Sequence, residues 1–351
     1  MLENARRRLD LLIGRRTDFE PPRPPTPDEA PSLREALAAW HAQAEARYAR
    51  IFLFGKPLFL KRGERELFAR LAKHGLVESL GAQVVQPCVR LFPLYGRFIA
   101  TDLLTREEED QVFSLMFEQV YFVRNFDVRP KDRVLELCLG SGVNSLFAAD
   151  VAAEVSAVDV SPRALAFTRF NESLCPAARP LNTHVGSLFE PLAADARFDT
   201  ILINPPFELV PEGETWFLHS HGGEDGLDVM RAMLKDTPAR LTEAGRLQVI
   251  TWTPAIEGVP TLVDAVREAL PSHRVSVHLL DEAPIDAHLD PFKASEHFPA
   301  FRERLRERGL DTVQFVYLHT APSAAPGVEV TRPTAEVADC HAISDAWIPP
   351  A

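Results

Sequence analysis

The sequence predicts an α/β fold, in which a seven-stranded, Rossmann-like sheet follows a mainly helical N-terminal domain. From about residue 130 onward, short apolar runs alternate with segments of helical periodicity, which indicates a parallel sheet covered by helices on both faces. Before that point, helical spacing dominates. Because ligands of such sheets bind at the carboxyl ends of strands, we expect the functional residues directly after strands.

Composition limits the possible classes of function. The chain has 351 residues, of which 46% are apolar and 25% charged, as is typical of globular proteins. Its net charge of −12 disfavours a large nucleic-acid footprint, although a local basic patch is compatible with that average. No apolar run is long enough to span a bilayer. The cysteine spacing suits neither a zinc site nor a disulfide framework, so we expect no metal and a reducing, cytoplasmic setting; the four are Cys88, Cys138, Cys175 and Cys340.

Residues 1–129 are predicted to form the N-terminal domain. Their Arg-rich start suggests an amphipathic surface helix, and the Pro-rich stretch 19–31 an extended arm. Two helices follow, and then a hairpin over 88–104 that turns near Tyr95–Gly96. Thr105–Glu108 has the spacing of a capping box, which predicts a helix over "REEEDQVFSLMFEQVYF". We expect this domain to close over the catalytic face and to recognise the substrate.

Residues 130–320 carry the sheet. One of its helices is predicted to begin at Ser161 with proline in its first turn. Residues 281–311 separate the last two strands and are predicted to form a helical cap near the substrate mouth, since so long a connection is usually functional. Residues 321–351 are predicted to be a C-terminal tail. The predicted strands are "DRVLELCL", "EVSAVDV", "LNTHVGSL", "FDTILI", "GRLQVITWT", "HRVSVHLL" and "TVQFVYLHT".

A nucleotide-type cofactor is predicted at the end of the first strand. Gly140 and Gly142 in "ELCLGSGVNS" allow a tight turn, and Asp159 ends the next strand nineteen positions after Gly140, where an acidic residue can accept both ribose hydroxyls. Two cofactors compete for this pattern. A dinucleotide needs a third glycine where the chain has Ser145, whereas S-adenosylmethionine has no phosphate and needs only the turn and the ribose acceptor. The incomplete fingerprint favours S-adenosylmethionine.

The stretch from "VLELCLGSG" through "FDTILINPPFE" to "RLTEAGRLQVI" resembles class I S-adenosylmethionine-dependent methyltransferases. It is most similar to the branch that contains the glutamine amide methyltransferases of release factors and the ribosomal-RNA guanine amino methyltransferases. The resemblance covers about residues 130–255. Family members often carry Asp where this chain has Ser187, beside the expected adenine. The implied donor-binding residues are Glu136, Leu137, Gly140, Ser141, Gly142, Asn144, Asp159, Val160, Ser187, Leu188 and Asn204.

The resemblance implies that the catalytic motif is "NPPFE", which comes directly after the apolar run "DTILI". Planar nitrogens are poor nucleophiles because their lone pair is delocalised, so the nitrogen must be held in line with the methyl group. The resemblance places the Asn204 side-chain oxygen and the Pro205 carbonyl on its N–H groups. The prolines fix φ and therefore hold these acceptors in place, and Phe207 would lie against the flat substrate.

The sequence supports three hypotheses about function. The first is transfer of methyl to a planar nitrogen of a small molecule or protein side chain, the second an RNA guanine amino methyltransferase, and the third a non-catalytic protein that kept the cofactor fold. His219 and His221 have a spacing found among metal ligands, but no third ligand is evident in the sequence. We therefore interpret the segment that contains them as a loop that covers the substrate. The pattern leaves the oligomeric state open.

Overall fold

The computed structural model describes residues 18–333. The Arg-rich start and Cys340 therefore lie outside the described residues. Within that range, a nine-stranded sheet runs through the molecule, with a three-stranded sheet and a separate hairpin beside it. No helix in the described part of the chain combines the length and hydropathy of a membrane span.

The elements are numbered in chain order. The strands, β1 to β14, are Leu58–Phe59, Val77–Ser79, Val84–Pro87, Arg90–Leu94, Arg97–Thr101, Arg133–Leu137, Glu154–Asp159, Leu181–Val185, Phe198–Ile203, Leu241–Ile256, Val259–Pro260, His273–Pro284, Thr312–Pro322 and Val328–Thr331. The α-helices, α1 to α10, are Ala30–Gln43, Glu45–Tyr48, Arg65–Lys73, Phe117–Asn125, Val143–Ala148, Pro162–Leu174, Asp228–Arg240, Thr261–Ala269, Ile285–His288 and Phe298–Glu307. A π-helical turn covers Ala49–Leu53, and 3-10 turns cover Arg62–Glu64 and Asp290–Phe292.

The large sheet has the order β14-β12-β13-β10-β9-β6-β7-β8, with β11 beside β10. The five strands from β8 to β10 along this order pair in parallel, whereas β13 is antiparallel to both of its neighbours. All seven predicted strands are present. The sheet has two more than predicted, the short β11 and β14, and β14 comes from the segment expected to be a tail. Its sequence "VEVT" alternates β-branched and polar residues, a pattern that favours a strand.

The central strands read as nearly continuous apolar runs because both of their faces are covered. Val134 and Leu202 pack into the core on one face of the sheet, while Leu135 and Ile201 pack into the core on the other. This alternation results from the two-residue period of a strand. The sheet is therefore buried along its centre, and its strand ends are the places where it reaches the surface.

The N-terminal part combines its helices with short strands. Besides four α-helices, its described residues contain the sheet β1-β3-β2 and the predicted hairpin β4–β5, which turns at Tyr95 and Gly96. Both turn residues have positive φ, the conformation of tight hairpin turns. The Asn171 side chain on α6 bonds both the N–H and the C=O of Ala100 on β5, at 2.7 and 3.0 Å. One apolar core extends from this part onto the sheet.

Residues 105–116 do not form the predicted helix. Helix α4 begins only at Phe117. The Asp102 carboxylate accepts the backbone N–H of Val112 at 2.8 Å, and such side-chain contacts with the backbone hold the segment as a loop. These contacts outweigh the Thr105–Glu108 capping box, because in a helix the Val112 N–H would have to bond a backbone carbonyl of the preceding turn instead of Asp102.

The connection between β12 and β13 is helical from Ile285 onward, and residues 281–284 extend β12. It contains α9, a 3-10 turn and α10. Its apolar residues form a small core together with Leu209, which lies just after the "NPPFE" motif. The buried residues of this core are Leu209, Ile285, Leu289, Phe301, Leu305, Leu310 and Val313.

Candidate active site

A cavity of about 740 Å³ lies at the carboxyl ends of β6, β7 and β9, which is where the sequence places its motifs. Its volume is in the usual range for small-molecule sites. Residues that come after each of these strands line it, together with parts of two segments, 109–119 and 215–221. Among the described residues that line it there is no Lys or Arg, whereas six are Asp or Glu. The cavity therefore suits a cationic or neutral ligand better than an anion.

The turn after β6 uses left-handed backbone. Cys138, Gly140 and Gly142 have φ of 61°, 54° and 78°. A Cβ on Gly142 would lie 2.6 Å from the Thr168 side chain, so only glycine fits there. A Cβ on Gly140 would meet no protein atom within 4 Å, because this glycine borders the cavity. The turn thus exposes its backbone to a ligand.

Asp159 ties this turn to the next helix. One carboxylate oxygen accepts the N–H of Gly140 and the other the N–H of Ser161, both at 2.8 Å. Burial raises the pKa of this carboxyl, and these hydrogen bonds act against the rise. Each oxygen has a second lone pair, and Asp159 lines the cavity. Ser161 caps α6 as predicted, with Pro162 in the first turn.

Glu136 is fully buried and does not line the cavity. Its carboxyl group accepts the Ser145 N–H and the Asn144 side-chain N–H, each at 2.9 Å, and it also bonds the Ser145 hydroxyl. Burial raises its pKa to about 7 against these hydrogen bonds. The chain thus uses Ser145, where a dinucleotide fingerprint has glycine, to hold Glu136. Any contribution of Glu136 to binding acts through its neighbours.

Asn144 offers an unused acceptor. It is 3% exposed and lines the cavity, and within residues 18–333 its side-chain oxygen has no hydrogen-bond partner. A buried polar atom without a partner is costly unless a ligand satisfies it. The remaining predicted donor residues also line the cavity, except Gly142; they are Leu137, Ser141, Val160, Ser187, Leu188 and Asn204.

The "NPPFE" segment leaves β9 along the same wall. Asn204, Pro205 and Phe207 all line the cavity, and the Asn204 side chain makes no hydrogen bond to any described residue. The backbone of Glu208 anchors the end of the motif, since its N–H donates to the Ser220 carbonyl at 2.7 Å. The motif is thus held by the proline φ angles and by pairing with the next loop.

Residues 222–226, "GGEDG", form a loop that packs directly on the "NPPFE" motif. Its glycines allow this close approach. A Cβ on Gly226, whose φ is 73°, would collide with the Phe207 carbonyl oxygen. A Cβ on Gly222 would lie 2.8 Å from the Phe207 carbonyl carbon. The glycines of "GGEDG" therefore set the position of the Phe207 carbonyl.

The opposite part of the cavity is formed by two segments distant in sequence. The Leu218 N–H donates to the Glu109 carbonyl at 2.9 Å, and His219 Nε2 lies 3.2 Å from Gln111 Oε1. The His219 ring stacks on Phe113 with centroids 4.7 Å apart. Burial lowers the His219 pKa to about 4, so the ring is neutral at physiological pH. Sequence reasoning placed a loop here but missed its partners in 109–119.

Two carboxyl groups that line this part of the cavity, the buried Glu118 and the half-buried Glu208, were also missed. Glu118 lies in the first turn of α4 and is 6% exposed, and burial raises its pKa to about 7. Glu208 comes directly after Phe207 and accepts the Trp216 indole N–H at 2.5 Å; burial raises its pKa against this bond. Glu208 was visible as the last letter of the motif, whereas nothing local to Glu118 indicates that it reaches the cavity.

The helical connection 285–311 lies outside the cavity. None of its residues lines the cavity. The Phe292 ring lies 4.6 Å from that of Trp216, Arg304 pairs with Glu224, and Arg308 pairs with Asp225. The connection therefore supports the loop from outside.

Comparison with known proteins adds a family match for part of the chain. Residues 119–269 match the family model of the methyltransferase small domain. The ribosomal protein uL3 glutamine methyltransferase of Bradyrhizobium diazoefficiens is 40% identical over 126 residues, 33% of this chain and 39% of that protein. The release factor glutamine methyltransferase of Cereibacter sphaeroides is 36% identical over 160 residues, 42% of this chain and 55% of that protein. The chain thus spans about half or less of the length of these two relatives.

Residues 119–269 thus match a methyltransferase small domain, and the parallel sheet and the glycine turn of the structure agree with that match. The match confirms the resemblance of the sequence to methyltransferases. The cavity fits the cofactor: Asn144 offers an unpaired oxygen for the ammonium group and Asp159 offers lone pairs for ribose hydroxyls. The acidic lining complements the positive sulfonium, and its described residues include no Lys or Arg for a pyrophosphate.

Proposed function

We propose that the protein transfers the methyl group of S-adenosylmethionine to the side-chain amide nitrogen of a glutamine in a protein. The observation that carries this proposal is a single cavity lined by both the glycine turn with Asp159 and the Asn204–Phe207 motif. The relatives from Bradyrhizobium and Cereibacter are named for glutamine methylation of a ribosomal protein and of release factors, which supports an amide in a protein as acceptor.

The chain's own groups orient the acceptor. When bound, S-adenosylmethionine supplies an electrophilic methyl group on a sulfonium. The Asn204 oxygen and the Pro205 carbonyl would accept the two amide N–H bonds and so direct the nitrogen lone pair, while Phe207 would lie on the flat amide. Because the Asn204 side chain has no partner among the described residues, it is free to make this contact. Asn144 and Asp159 would hold the cofactor.

The charge of the cavity supports a protein acceptor over RNA. No Lys or Arg is among its described lining residues, and the chain carries a net charge of −12. A nucleic-acid substrate brings phosphates that need cations. A polypeptide brings none, and an amide is neutral.

The test is transfer of a deuterated methyl group. Purified protein is incubated with trideuteromethyl S-adenosylmethionine and with ribosomal proteins, release factors or ribosomal RNA, and mass spectrometry locates the label. We expect label on a glutamine side chain. Label on guanine would establish the RNA alternative, and binding of the cofactor without transfer to any acceptor would indicate a non-catalytic protein.

A further inference from the structure

Methylation of an amide nitrogen leaves a proton to be removed. The nitrogen gains the methyl carbon, the donor's carbon–sulfur bond breaks, and the electron pair stays on sulfur. The amide nitrogen, now positively charged, must then lose one of its hydrogens. Asn204 and Pro205 offer only carbonyl oxygens, which accept hydrogen bonds but are weak bases. A carboxylate that lines the cavity is a stronger base than these oxygens, so the side chains of the lining are the groups to search.

Most titratable groups that line the cavity are already engaged or unsuitable. Asp159 accepts two backbone N–H bonds, and His219 has its pKa lowered to about 4 by burial and is therefore a weak base. Asp110 pairs with Arg106, and Asp228 with Arg231. The other titratable lining groups besides Glu118 and Glu208 are the exposed Glu109, His221, whose Nδ1 accepts the Gly223 N–H, and the Cys138 thiol, whose pKa burial raises.

Glu118 and Glu208 are different. Glu118 lies on the 109–119 segment and Glu208 at the end of the "NPPFE" motif, and neither has a cationic partner among the described residues. Trp216 donates to one Glu208 oxygen and leaves the other available. Glu208 is also tied to the catalytic motif, because it comes directly after Phe207 and its backbone is fixed on both sides by the 220–222 segment.

A third polar group points to a ligand at this wall. Ser220 lines the cavity and is 5% exposed, yet within the described chain its hydroxyl has no hydrogen-bond partner. Its carbonyl accepts the Glu208 N–H, so it lies beside that residue. A buried hydroxyl left unpaired next to an available carboxylate indicates a place that a polar substrate group completes.

We propose that Glu208 and Glu118 form the proton-accepting pair of the methyl transfer. An amide N–H bond breaks, its proton forms an O–H bond with a Glu208 oxygen, and the electron pair returns to nitrogen. Glu118 is a positioning residue that sets the basicity of Glu208, since two nearby carboxyl groups resist being charged together. The Glu208 charge in turn adds to the effect of burial on the Glu118 pKa. This inference rests on the proposed function.

The first experiment needs no acceptor protein. Infrared difference spectra of the protein with bound S-adenosylhomocysteine are recorded across pH for the wild type, Glu118→Gln, Glu208→Gln and the control Glu109→Gln, which alters an exposed carboxyl of the same cavity. We expect a protonated-carboxyl band that titrates near neutral pH, disappears in Glu118→Gln, shifts to lower pH in Glu208→Gln and is unchanged in the control. Absence of such a band in the wild type overturns the proposal.

The second experiment is the pH profile of single-turnover methyl transfer to the acceptor that deuterium labelling identifies. The wild-type rate should rise with pH, because the deprotonated Glu208 carboxylate is the active form and burial raises its pKa. Glu208→Gln should slow transfer about a hundredfold and remove this rise. Glu118→Gln should move the rise to lower pH. An unchanged profile in Glu208→Gln overturns the pair while leaving the proposed function intact, whereas no transfer by the wild type overturns both.

Discussion

The donor side of the cavity and its acceptor side are built differently. The donor side, 136–161, is held by contacts between residues close in sequence, such as Glu136 with Ser145, nine apart, and Gly140 with Asp159, nineteen apart. The acceptor side, 109–119 with 204–226, depends on contacts such as Gln111 with His219, 108 residues apart. The first is a local motif, while the second is a product of tertiary packing.

This difference predicts that the two sides act separately. Changes on the donor side should weaken cofactor binding and leave the transfer step intact, because they touch no acceptor contact. Changes on the acceptor side should slow transfer and leave cofactor affinity nearly unchanged. Variants on each side can test that separation.

Asn204→Ala should produce the largest effect. It removes the oxygen proposed to orient the amide, and loss of such a transition-state hydrogen bond typically slows a reaction about a hundredfold or more. Single-turnover transfer at saturating S-adenosylmethionine measures the rate, and Asn182→Ala, an exposed asparagine on β8, is the control. A wild-type rate in Asn204→Ala would mean that the motif is only a stiff loop.

Asp159→Ala should weaken S-adenosylmethionine binding by about 1.5–3 kcal/mol, the range for hydrogen bonds to a charged acceptor. Calorimetric titration with the cofactor measures this. The transfer rate at saturating cofactor should stay close to that of the wild type. Unchanged affinity would remove Asp159 from the donor site.

Gly226→Ala should slow transfer about tenfold, since the new Cβ collides with the Phe207 carbonyl and displaces the catalytic motif. The control is Gly258→Ala, which has a similar φ of 78° but open space around its Cβ. Comparing the two separates the collision from backbone strain. Equal rates in both variants would show that the glycine loop does not set the position of the motif.

Asp225→Asn should have the smallest effect. Burial would raise the Asp225 pKa, but hydrogen bonds from Arg231 and Arg308 outweigh it and lower the pKa. The stabilisation is therefore present above the unfolded-state pKa of about 4 and is lost as pH falls through the lower folded-state value. Because both arginines are nearly half exposed, we expect a loss of about 0.5–1 kcal/mol at neutral pH.

Thermal melts across pH check this last prediction, with Asp264→Asn, an exposed carboxylate on α8, as the control. The gap in Tm between wild type and Asp225→Asn should close below about pH 4. A gap that persists in acid would mean that the side chain acts by packing rather than by charge.

The same difference between the two sides decides how much of the site the sequence could predict. The glycine turn, Asp159 and the Ser161 cap were predicted because each depends on its near neighbours. The helix expected over 106–122 was wrong at its start, because Asp102 holds Val112 from ten residues away. The position of Glu118 at the cavity was missed, because its burial results from tertiary packing and the residues around it in sequence do not indicate this packing.

The most direct test of the separation is a double-mutant cycle between Asp159→Ala and Asn204→Ala, measured as kcat/KM for S-adenosylmethionine in methyl transfer. Sites that act separately have additive effects on the activation free energy. We predict that the loss in the double variant equals the product of the two single losses within about twofold. A double variant no slower than the slower single variant would contradict this independence and show that the two sides act as one unit.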